Sequence, residues 1–536
     1  MKYDSAQYRY PSKRIVVYGK KGMVCTSQPL AAQAGLEILK KGGNVVDAAI
    51  AAAACLPVVE PTCNGLGGDA FAILWTKDNQ IFGLNASGPA PMGISAKAVR
   101  ERGFSEMPRF GWIPVNVPGL VAGWAALSER FGRLPFRELV EPAALYAEEG
   151  YPVPPTVAQM WAGDYALHKK ELTAPEFQHW FSTFAPQGRA PRTGELFACP
   201  EMAATLREIG ETHGETVYRG ALAEKIDAFS RATGGYLRRE DLAAYRPQWV
   251  EPVSVNYRGY DVWEIPPNGS GIVAQMALNI LKGFSFADRE DVETYHKQIE
   301  AMKLAFADGM RYIADPAHMK ASVKTLLSDE FAALRRGEVG ERARRPEPAD
   351  PNCCGTVYLC AADEEGNMIS YIQSNYMGFG SGLVVPGTGF ALHNRGKNFS
   401  LDEAMENCLG PGKRPYHTIL PAFLSKDGRP VGPFGVMGAF MQPQGHVQVV
   451  MNTVDFAMNP QDALNAPRWQ WTGGMTIEVE PEFPRDKAEA LRELGHDIVY
   501  ARDSMTFGRG QIIWREENGV YAGATEPRTD GTVAVW

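Results

Sequence analysis

Large apolar side chains recur at spacings of three and four near the middle of the chain, at Ile299, Met302, Phe306, Met310 and Ile313. This spacing places them on one face and predicts an amphipathic helix. Near the N-terminus a helix is predicted over 30–39, with Thr26 or Ser27 as its cap and Gly42-Gly43 as its end. Further helices are predicted over 47–56, 272–281 and 444–456, and through most of 110–250.

Strand patterns alternate with these helices. The clearest pair covers 356–362 and 368–374, and an acidic turn that ends in Gly366-Asn367 joins the two strands into a predicted hairpin. A second hairpin is predicted from strands at 71–75 and 81–85, just after a glycine-bearing turn, `CNGLGG`, that we interpret as tightly packed backbone. Other strands are predicted over 252–265, 383–386, 419–424 and 432–437.

The segment 335–354 differs from the rest of the chain. It reads `RRGEVGERARRPEPADPNCC`, which is charged, contains proline and holds almost no large apolar residue. This composition predicts an exposed loop, and the loop leads directly into the strand that begins at Thr356.

Composition and charge narrow the class of protein. The 536 residues are 45% hydrophobic and 22% charged, which is typical of a globular protein. The net charge of −8 argues against a nucleic-acid partner or a polybasic membrane anchor. No apolar run reaches the length of a membrane span, and the first residues lack the apolar core of a secretory signal. We therefore expect a cytoplasmic protein that keeps its eight cysteines reduced.

Motifs for cofactors and metals are missing from the sequence. There is no HExxH, no spaced Cys/His set, no phosphate-binding GxxxxGK[ST] loop and no GxSxG elbow. The sequence therefore predicts neither a metal nor a cofactor.

Thr356 offers a different chemistry. It opens a strand directly after the polar segment, and a cut before it would make it N-terminal. The α-amino group, with a pKa of about 7.7–8.0, then serves as the base that activates the hydroxyl. Cys354 is a weaker candidate nucleophile because it lies outside the predicted strand.

A set of ordered motifs along nearly the whole chain resembles the γ-glutamyltranspeptidase family of the N-terminal-nucleophile hydrolases. They are `AAQAGLEILKKGGNVVDAAIAAAACLPVVEPTCNGLGGDAF`, `VPGLVAGW`, `YRGYDVWEIPPNGSG`, `TVYLCAADEEGNMISYIQS`, `FGSGLVVPGTGFALHNRG`, `KRPYHTILPAF` and `ALNAPRWQW`. The resemblance implies an α/β (α+β) fold, a four-layer αββα sandwich. It also implies a precursor that cuts itself between Gly355 and Thr356 into fragments 1–355 and 356–536, which stay associated in one αββα unit.

The resemblance assigns roles to particular positions. Thr356 is the implied nucleophile, Ser374 the second hydroxyl that supports it, and Gly438 with Ala439 the pair whose backbone N–H groups hold the oxyanion. In the substrate pocket the chain departs from the family pattern. The family's carboxylate-binding arginine is missing from `NASGPAPM`. The residues at the remaining substrate-binding positions are Tyr376, Arg395, Asn398, His417 and Thr418.

These departures lead to three functional hypotheses. An uncharged Asn398 leaves the substrate amino group without its acid, whereas Arg395 and His417 suit a carboxylate. The first hypothesis is therefore a self-processing amidohydrolase that acts on a small amide of a dicarboxylic or γ-glutamyl-like acid. The second is a true glutathione hydrolase or γ-glutamyl transferase. The third is an unprocessed homologue that binds a ligand without catalysis.

Overall fold

The structure is a computed structural model that describes residues 10, 14–346 and 356–536. Its strands are β1 (Val17–Gly19), β2 (Gly22–Thr26), β3 (Asp69–Trp75), β4 (Ile81–Ala86), β5 (Tyr151–Pro152), β6 (Leu196–Phe197), β7 (Gln248–Val250), β8 (Val253–Tyr257), β9 (Tyr260–Glu264), β10 (Val357–Asp363), β11 (Met368–Ser374), β12 (Ala422–Lys426), β13 (Arg429–Met437), β14 (Trp469–Gly473), β15 (Thr476–Val479), β16 (Asp497–Tyr500), β17 (Arg509–Arg515), β18 (Tyr521–Thr525) and β19 (Thr532–Val535).

The helices come from both halves of the sequence. They are α1 (Pro29–Lys40), α2 (Val45–Val59), α3 (Ala96–Glu101), α4 (Leu120–Phe131), α5 (Phe136–Glu149), α6 (Pro155–Glu171), α7 (Gln178–Phe184), α8 (Pro200–Glu211), α9 (Glu215–Arg219), α10 (Ala221–Ala232), α11 (Arg239–Ala244), α12 (Gly271–Leu281), α13 (Val292–Tyr312), α14 (Val323–Leu326), α15 (Asp329–Arg336), α16 (Met441–Val454), α17 (Pro460–Asn465) and α18 (Arg485–Glu493).

Two antiparallel sheets of seven strands each form the centre of the described part of the chain. One has the order β1-β18-β17-β13-β12-β9-β8, and the other has the order β19-β2-β10-β11-β3-β4-β7. They pack face to face, with β10 and β11 of the second sheet against β13 and β17 of the first. Both sheets contain strands from before and after residue 355, so neither stretch of the chain completes a sheet alone.

Helices cover the outer face of each sheet. α1, α2 and α4 pack on β2, β3, β10 and β11, whereas α12, α16 and α17 pack on β8, β13, β17 and β18. This arrangement confirms the predicted four-layer αββα sandwich. Among the described residues no helix is both long enough and apolar enough to cross a bilayer.

Helices α1 and α2 form as the apolar pattern predicts, but their start signals differ from the prediction. The cap of α1 is Gln28, whose side chain accepts from the Leu30 N–H, so the prediction of Thr26 or Ser27 was wrong. The Ser27 hydroxyl instead donates to Glu60. α2 starts at a capping box formed by Asn44 and Asp47, and it continues past Pro57 to Val59.

Two strand predictions were wrong in detail. The segment 252–265 is a hairpin, β8 and β9, with a turn at Arg258-Gly259. The segment 383–386 contributes only an isolated bridge between Val384 and Ala391. Glycines with positive φ on both sides of it, among them Gly382 and Gly387, turn the backbone out of the extended conformation that a ladder needs.

Candidate functional site

The hairpin of β10 and β11 places Thr356 beside Ser374. Val357 pairs with Gln373, so Thr356 precedes β10 directly opposite the last residue of β11. β10 lies in the middle of its sheet, between β2 and β11, and both Thr356 and Ser374 are fully buried. A short turn fixes this register, and the candidate nucleophile is therefore held at the end of a central strand.

Two polar groups contact the Thr356 hydroxyl. Thr356 Oγ1 donates to Ser374 Oγ at 3.1 Å, and Ser374 Oγ also accepts from the Tyr376 N–H at 2.7 Å. Gln442 Nε2 lies 3.5 Å from Thr356 Oγ1, and its Oε1 accepts from the Leu420 N–H at 3.0 Å. The hydroxyl oxygen is thus oriented from two sides. Gln442, in the first turn of α16, was not found from the sequence.

Gly438 and Ala439 link β13 to the start of α16. Both have positive φ, 143° for Gly438 and 50° for Ala439, which costs an alanine about 1 kcal/mol or more. Within the described ranges, neither of their backbone N–H groups has an acceptor. Because they also lie at the positive end of the α16 dipole, these two groups suit a developing negative charge.

The `CNGLGG` turn packs closely against the backbone at Ser374 and Ala391. A Cβ on Gly67 would lie 2.4 Å from the Ala391 carbonyl oxygen, and one on Gly68 would lie 2.6 Å from that of Ser374. The turn is therefore closely packed backbone, as the sequence predicts, and it supports the end of β11.

Three of the predicted substrate-binding residues form one cluster beside Ser374. Arg395 is fully buried, and its Nη1 donates to Thr418 Oγ1 at 2.8 Å. Its guanidinium stacks on the Tyr376 ring, 4.3 Å from the centroid. The Tyr376 N–H donates to Ser374 Oγ, so this cationic cluster directly contacts the partner of the candidate nucleophile.

His417 is hydrogen-bonded to other residues of the protein, and its predicted contact with substrate stays a prediction. Its Nε2 donates to Asp69 Oδ2 at 2.9 Å, and its Nδ1 accepts from the Ile419 N–H at 3.4 Å. Burial and the Arg395 charge lower the pKa of His417 to about 3, against the opposing effect of Asp69. His417 is thus a neutral, buried histidine with both nitrogens engaged. His393 Nδ1 lies 3.3 Å from the same carboxylate oxygen.

Asn398 holds a neighbouring loop. Its Nδ2 donates to the Tyr416 carbonyl at 3.0 Å, and its own carbonyl accepts from Asn407 Nδ2 at 2.6 Å. Its predicted contact with substrate stays a prediction. The predicted cleavage residue Gly355 and the alternative nucleophile Cys354 lie outside the described residues.

One cluster of potential metal ligands occurs among the described residues, at His296, Glu300 and His496. His296 Nδ1 and His496 Nε2 lie 2.9 Å apart and share a hydrogen bond. Lys303 forms an ion pair with Glu300, and an ammonium there competes with any cation. His296 also bonds to the Gly340 carbonyl at 2.8 Å, so the cluster fastens the segment that follows α15.

The buried imidazole of His168 should make the stability of the folded protein depend on pH. Burial and the nearby Arg109 lower the pKa of His168 to about 3. The unfolded chain therefore binds a proton that the folded protein excludes, from about pH 6.5 downward. The stability that a neutral His168 contributes is complete above that pH and is lost as the pH falls toward 3.

We expect His168→Phe to flatten this dependence. The ring lies among Phe110, Trp180 and Phe379, and phenylalanine fits such a cluster without titrating. Urea unfolding at several values between pH 7 and 5 should show a slope lower by up to about 1.4 kcal/mol per pH unit. His318→Phe, at an exposed position, is the control. Equal slopes in wild type and His168→Phe would contradict the assignment.

The sequence matches known proteins over nearly its whole length. The family model described as Gamma-glutamyltranspeptidase matches residues 31–536. The glutathione hydrolase-like YwrD proenzyme of Bacillus subtilis (strain 168) is 36% identical, with 96% of this chain and 98% of that protein covered. The oxamate amidohydrolase proenzyme of Klebsiella pneumoniae is 34% identical, with 96% and 98% covered.

A solved structure matches even more closely. The crystal structure of cephalosporin acylase from Bacillus halodurans is 60% identical and superposes with a TM-score of 0.96, covering 100% of this chain and 99% of that one.

Proposed function

Because the chain belongs to the gamma-glutamyltranspeptidase family and is an amide-cleaving enzyme of the N-terminal-nucleophile type, we propose that Thr356 is its nucleophile. The observation that supports this most strongly is the Thr356 hydroxyl at the head of central strand β10, bonded to Ser374 at 3.1 Å. We further propose that the acyl group carries a carboxylate and no amino group.

Self-processing is the first step of the proposed mechanism. The Thr356 hydroxyl oxygen attacks the Gly355 carbonyl carbon, and the bond from that carbon to the Thr356 nitrogen breaks. The resulting ester is then hydrolysed by water. This leaves the carboxylate of Gly355 and a free α-amino group on Thr356. The positions of Ser374 and Gln442 support the step because they orient the attacking oxygen.

Turnover uses the same hydroxyl with its own amine as base. The amine accepts the hydroxyl proton as the oxygen attacks the substrate amide, and it returns the proton to the leaving nitrogen. The N–H groups of Gly438 and Ala439 stabilise the oxyanion, and water then releases the acid from the acyl-enzyme.

Arg395 supports the assignment of the acyl group. Its fixed guanidinium lies in the Ser374–Tyr376 cluster, where it suits a carboxylate on the acyl chain. At the position where the family pattern places an acid for the substrate amino group, the chain has Asn398. The Klebsiella relative is named for oxamate, which is likewise the monoamide of a dicarboxylic acid.

Ser374→Ala should slow both processing and turnover. The change removes the acceptor that orients the Thr356 hydroxyl, a contact worth about 1 kcal/mol, so the half-time of processing should lengthen by roughly 5- to 10-fold. A time course of purified precursor on denaturing gels measures this half-time. Ser374→Thr, which keeps the hydroxyl, is the control. Processing of Ser374→Ala at the wild-type rate would contradict a role for Ser374.

A matched substrate panel tests the proposed acyl group. Glutaryl anilide, γ-glutamyl anilide and valeryl anilide share a five-carbon acyl chain and differ in its charged groups. We expect the order glutaryl, then valeryl, then γ-glutamyl in kcat/KM, because the γ-glutamyl ammonium finds no acid and lies near Arg395. A clear preference for γ-glutamyl anilide would instead support glutathione hydrolysis or γ-glutamyl transfer.

A further inference from the structure

The carboxylate of Asp69 is buried on the strand next to Ser374. Asp69 begins β3 and lies directly opposite Ser374 in the pairing of β3 with β11. Its side chain is fully buried, and the proposed mechanism does not use it. A buried charge is costly unless other groups compensate it, so the partners of this carboxylate indicate what it does.

Both oxygens of the Asp69 carboxylate accept hydrogen bonds. Oδ1 accepts from the Gly88 N–H at 3.1 Å, and Oδ2 accepts from His417 Nε2 at 2.9 Å. His393 Nδ1 lies 3.3 Å from Oδ2, and His393 Nε2 donates to the Asn116 carbonyl at 3.1 Å. Burial opposes the ionisation of Asp69, but the two histidines hold the pKa of its carboxyl well below the usual range. Asp69 is therefore an anion that needs acceptor oxygens on both sides.

This carboxylate fixes the tautomer of His417. Because an ionised Asp69 can only accept, the proton of the neutral imidazole has to be on Nε2. The unprotonated Nδ1 then accepts from the Ile419 N–H at 3.4 Å. The other tautomer would place a proton on Nδ1 against the Ile419 N–H and a lone pair on Nε2 against the carboxylate. Asp69 thereby orients the ring and the backbone on its far side.

Both histidines adjoin the residues that hold the Arg395 guanidinium. His417 directly precedes Thr418, whose Oγ1 accepts from Arg395 Nη1 at 2.8 Å. His393 lies two residues before Arg395 in the sequence. Burial and then the Arg395 charge lower the pKa of His417, so the guanidinium lies near the imidazole. Asp69 therefore connects, through two histidines, the two chain segments that carry the Arg395–Thr418 pair.

We propose that Asp69 is a positioning residue: through His417 it holds Arg395 where the guanidinium binds the acyl carboxylate. The inference rests on the proposed function, which assigns the acyl carboxylate to Arg395. A guanidinium that is held in place before the substrate arrives loses little conformational freedom on binding. Loss of this support should therefore raise KM for a substrate with an acyl carboxylate and leave kcat nearly unchanged.

Asp69→Asn tests the carboxylate without changing the shape of the side chain. The Gly88 N–H and the His417 Nε2–H both need an acceptor, whereas an amide offers one acceptor and one donor. Either orientation of the amide therefore places two donors against each other, unless His417 takes its other tautomer. That tautomer in turn breaks the bond from the Ile419 N–H.

We expect Asp69→Asn to lower the ratio of kcat/KM for glutaryl anilide to that for valeryl anilide by about 10-fold, mostly through KM for glutaryl anilide. Asp47→Asn is the matched control and should keep the wild-type ratio. Asp47 is also fully buried and accepts from backbone N–H groups, but it lies at the start of α2, whose first N–H bonds to Asp363 at the far end of β10 from Thr356. An unchanged ratio in Asp69→Asn, or equal losses for both substrates, would overturn the inference.

Variants of His417 keep the inference testable if Asp69→Asn does not fold. His417→Gln retains a donor for Asp69, whereas His417→Phe retains a ring against Phe71 and removes the donor. We expect His417→Phe to lower the ratio as much as Asp69→Asn does, and His417→Gln to keep most of it. The double variant, Asp69→Asn with His417→Phe, should lose no more than either single variant, because both changes interrupt one contact. Losses that add in full would overturn the inference.

The tautomer of His417 can be measured whichever amide the enzyme cleaves. Long-range nitrogen–proton correlation spectra of isotope-labelled histidine distinguish a neutral ring protonated on Nε2 from one protonated on Nδ1. His417→Gln identifies the His417 signals by their loss. We expect the Nε2–H form in wild type and the Nδ1–H form in Asp69→Asn. The Nδ1–H form in wild type would overturn the role of Asp69.

Arg395→Gln separates this inference from the proposed function. If Arg395→Gln leaves the glutaryl-to-valeryl ratio unchanged, Arg395 does not bind the acyl carboxylate, and the proposed acyl specificity fails together with the inference. If Arg395→Gln lowers the ratio and Asp69→Asn does not, the proposed function stands and the positioning role of Asp69 is wrong. A lower ratio in both variants, with the control unchanged, supports both.

Discussion

Thr356→Ala should remain a single chain of 536 residues and should have no measurable amidase activity, whereas wild type should separate into fragments of 355 and 181 residues. The change removes the hydroxyl oxygen that we propose attacks the Gly355 carbonyl and carries the acyl group in turnover. Denaturing gels and an assay with glutaryl anilide measure the two effects on the same sample.

A conservative variant makes this result specific. Thr356→Ser keeps a hydroxyl within reach of Ser374 and should still process and turn over, at reduced rates. Near-ultraviolet circular dichroism of Thr356→Ala should match wild type, because the side chain is small and contributes little to the packing between the sheets. A Thr356→Ala protein that still splits before residue 356 would contradict the assignment.

Arg395→Gln should lose roughly 10- to 100-fold in kcat/KM for glutaryl anilide, the range expected when a buried hydrogen bond to a charge is lost. Valeryl anilide, which lacks the carboxylate, should be affected much less, so the ratio of the two rates is the readout. Arg395→Lys keeps the charge but loses the planar contacts to Thr418 and Tyr376. Its kcat/KM for glutaryl anilide should lie between those of wild type and Arg395→Gln.

The two substrates make the outcome decisive. Equal losses for both would indicate that Arg395 only supports the packing of Tyr376 and Thr418. Normal self-processing in Arg395→Gln would show that the fold is intact, since processing needs the sheets and the Thr356–Ser374 pair in place.

Features set by neighbouring residues could be predicted from the sequence. The pairing of Thr356 with Ser374 follows from a hairpin whose short turn fixes its register, and the helices α1, α12, α13 and α16 follow from apolar spacing. A contact with a residue further along the chain explains the error in the cap of α1. Gln28 caps α1 because Ser27 is bonded to Glu60, a contact that lies far along the chain.

Contacts between distant segments could not be predicted in this way. Asp69 holds His417 across 348 positions, and nothing in the motif `RPYHTI` itself indicates this partner. Gln442 reaches Thr356 only because α16 begins beside the start of β10. Arg109 and Asp164 share a cavity although no motif connects them. The four-layer arrangement itself was inferred from the resemblance to a family.

The most direct test of Thr356 as nucleophile is intact-mass analysis of the processed enzyme, quenched in acid within the first turnover of glutaryl anilide. We expect the 181-residue fragment to gain the mass of one glutaryl group, and peptide mapping to place that group on Thr356. A glutaryl group on Ser374 or on a cysteine, or a chain that never divides before Thr356, would contradict it.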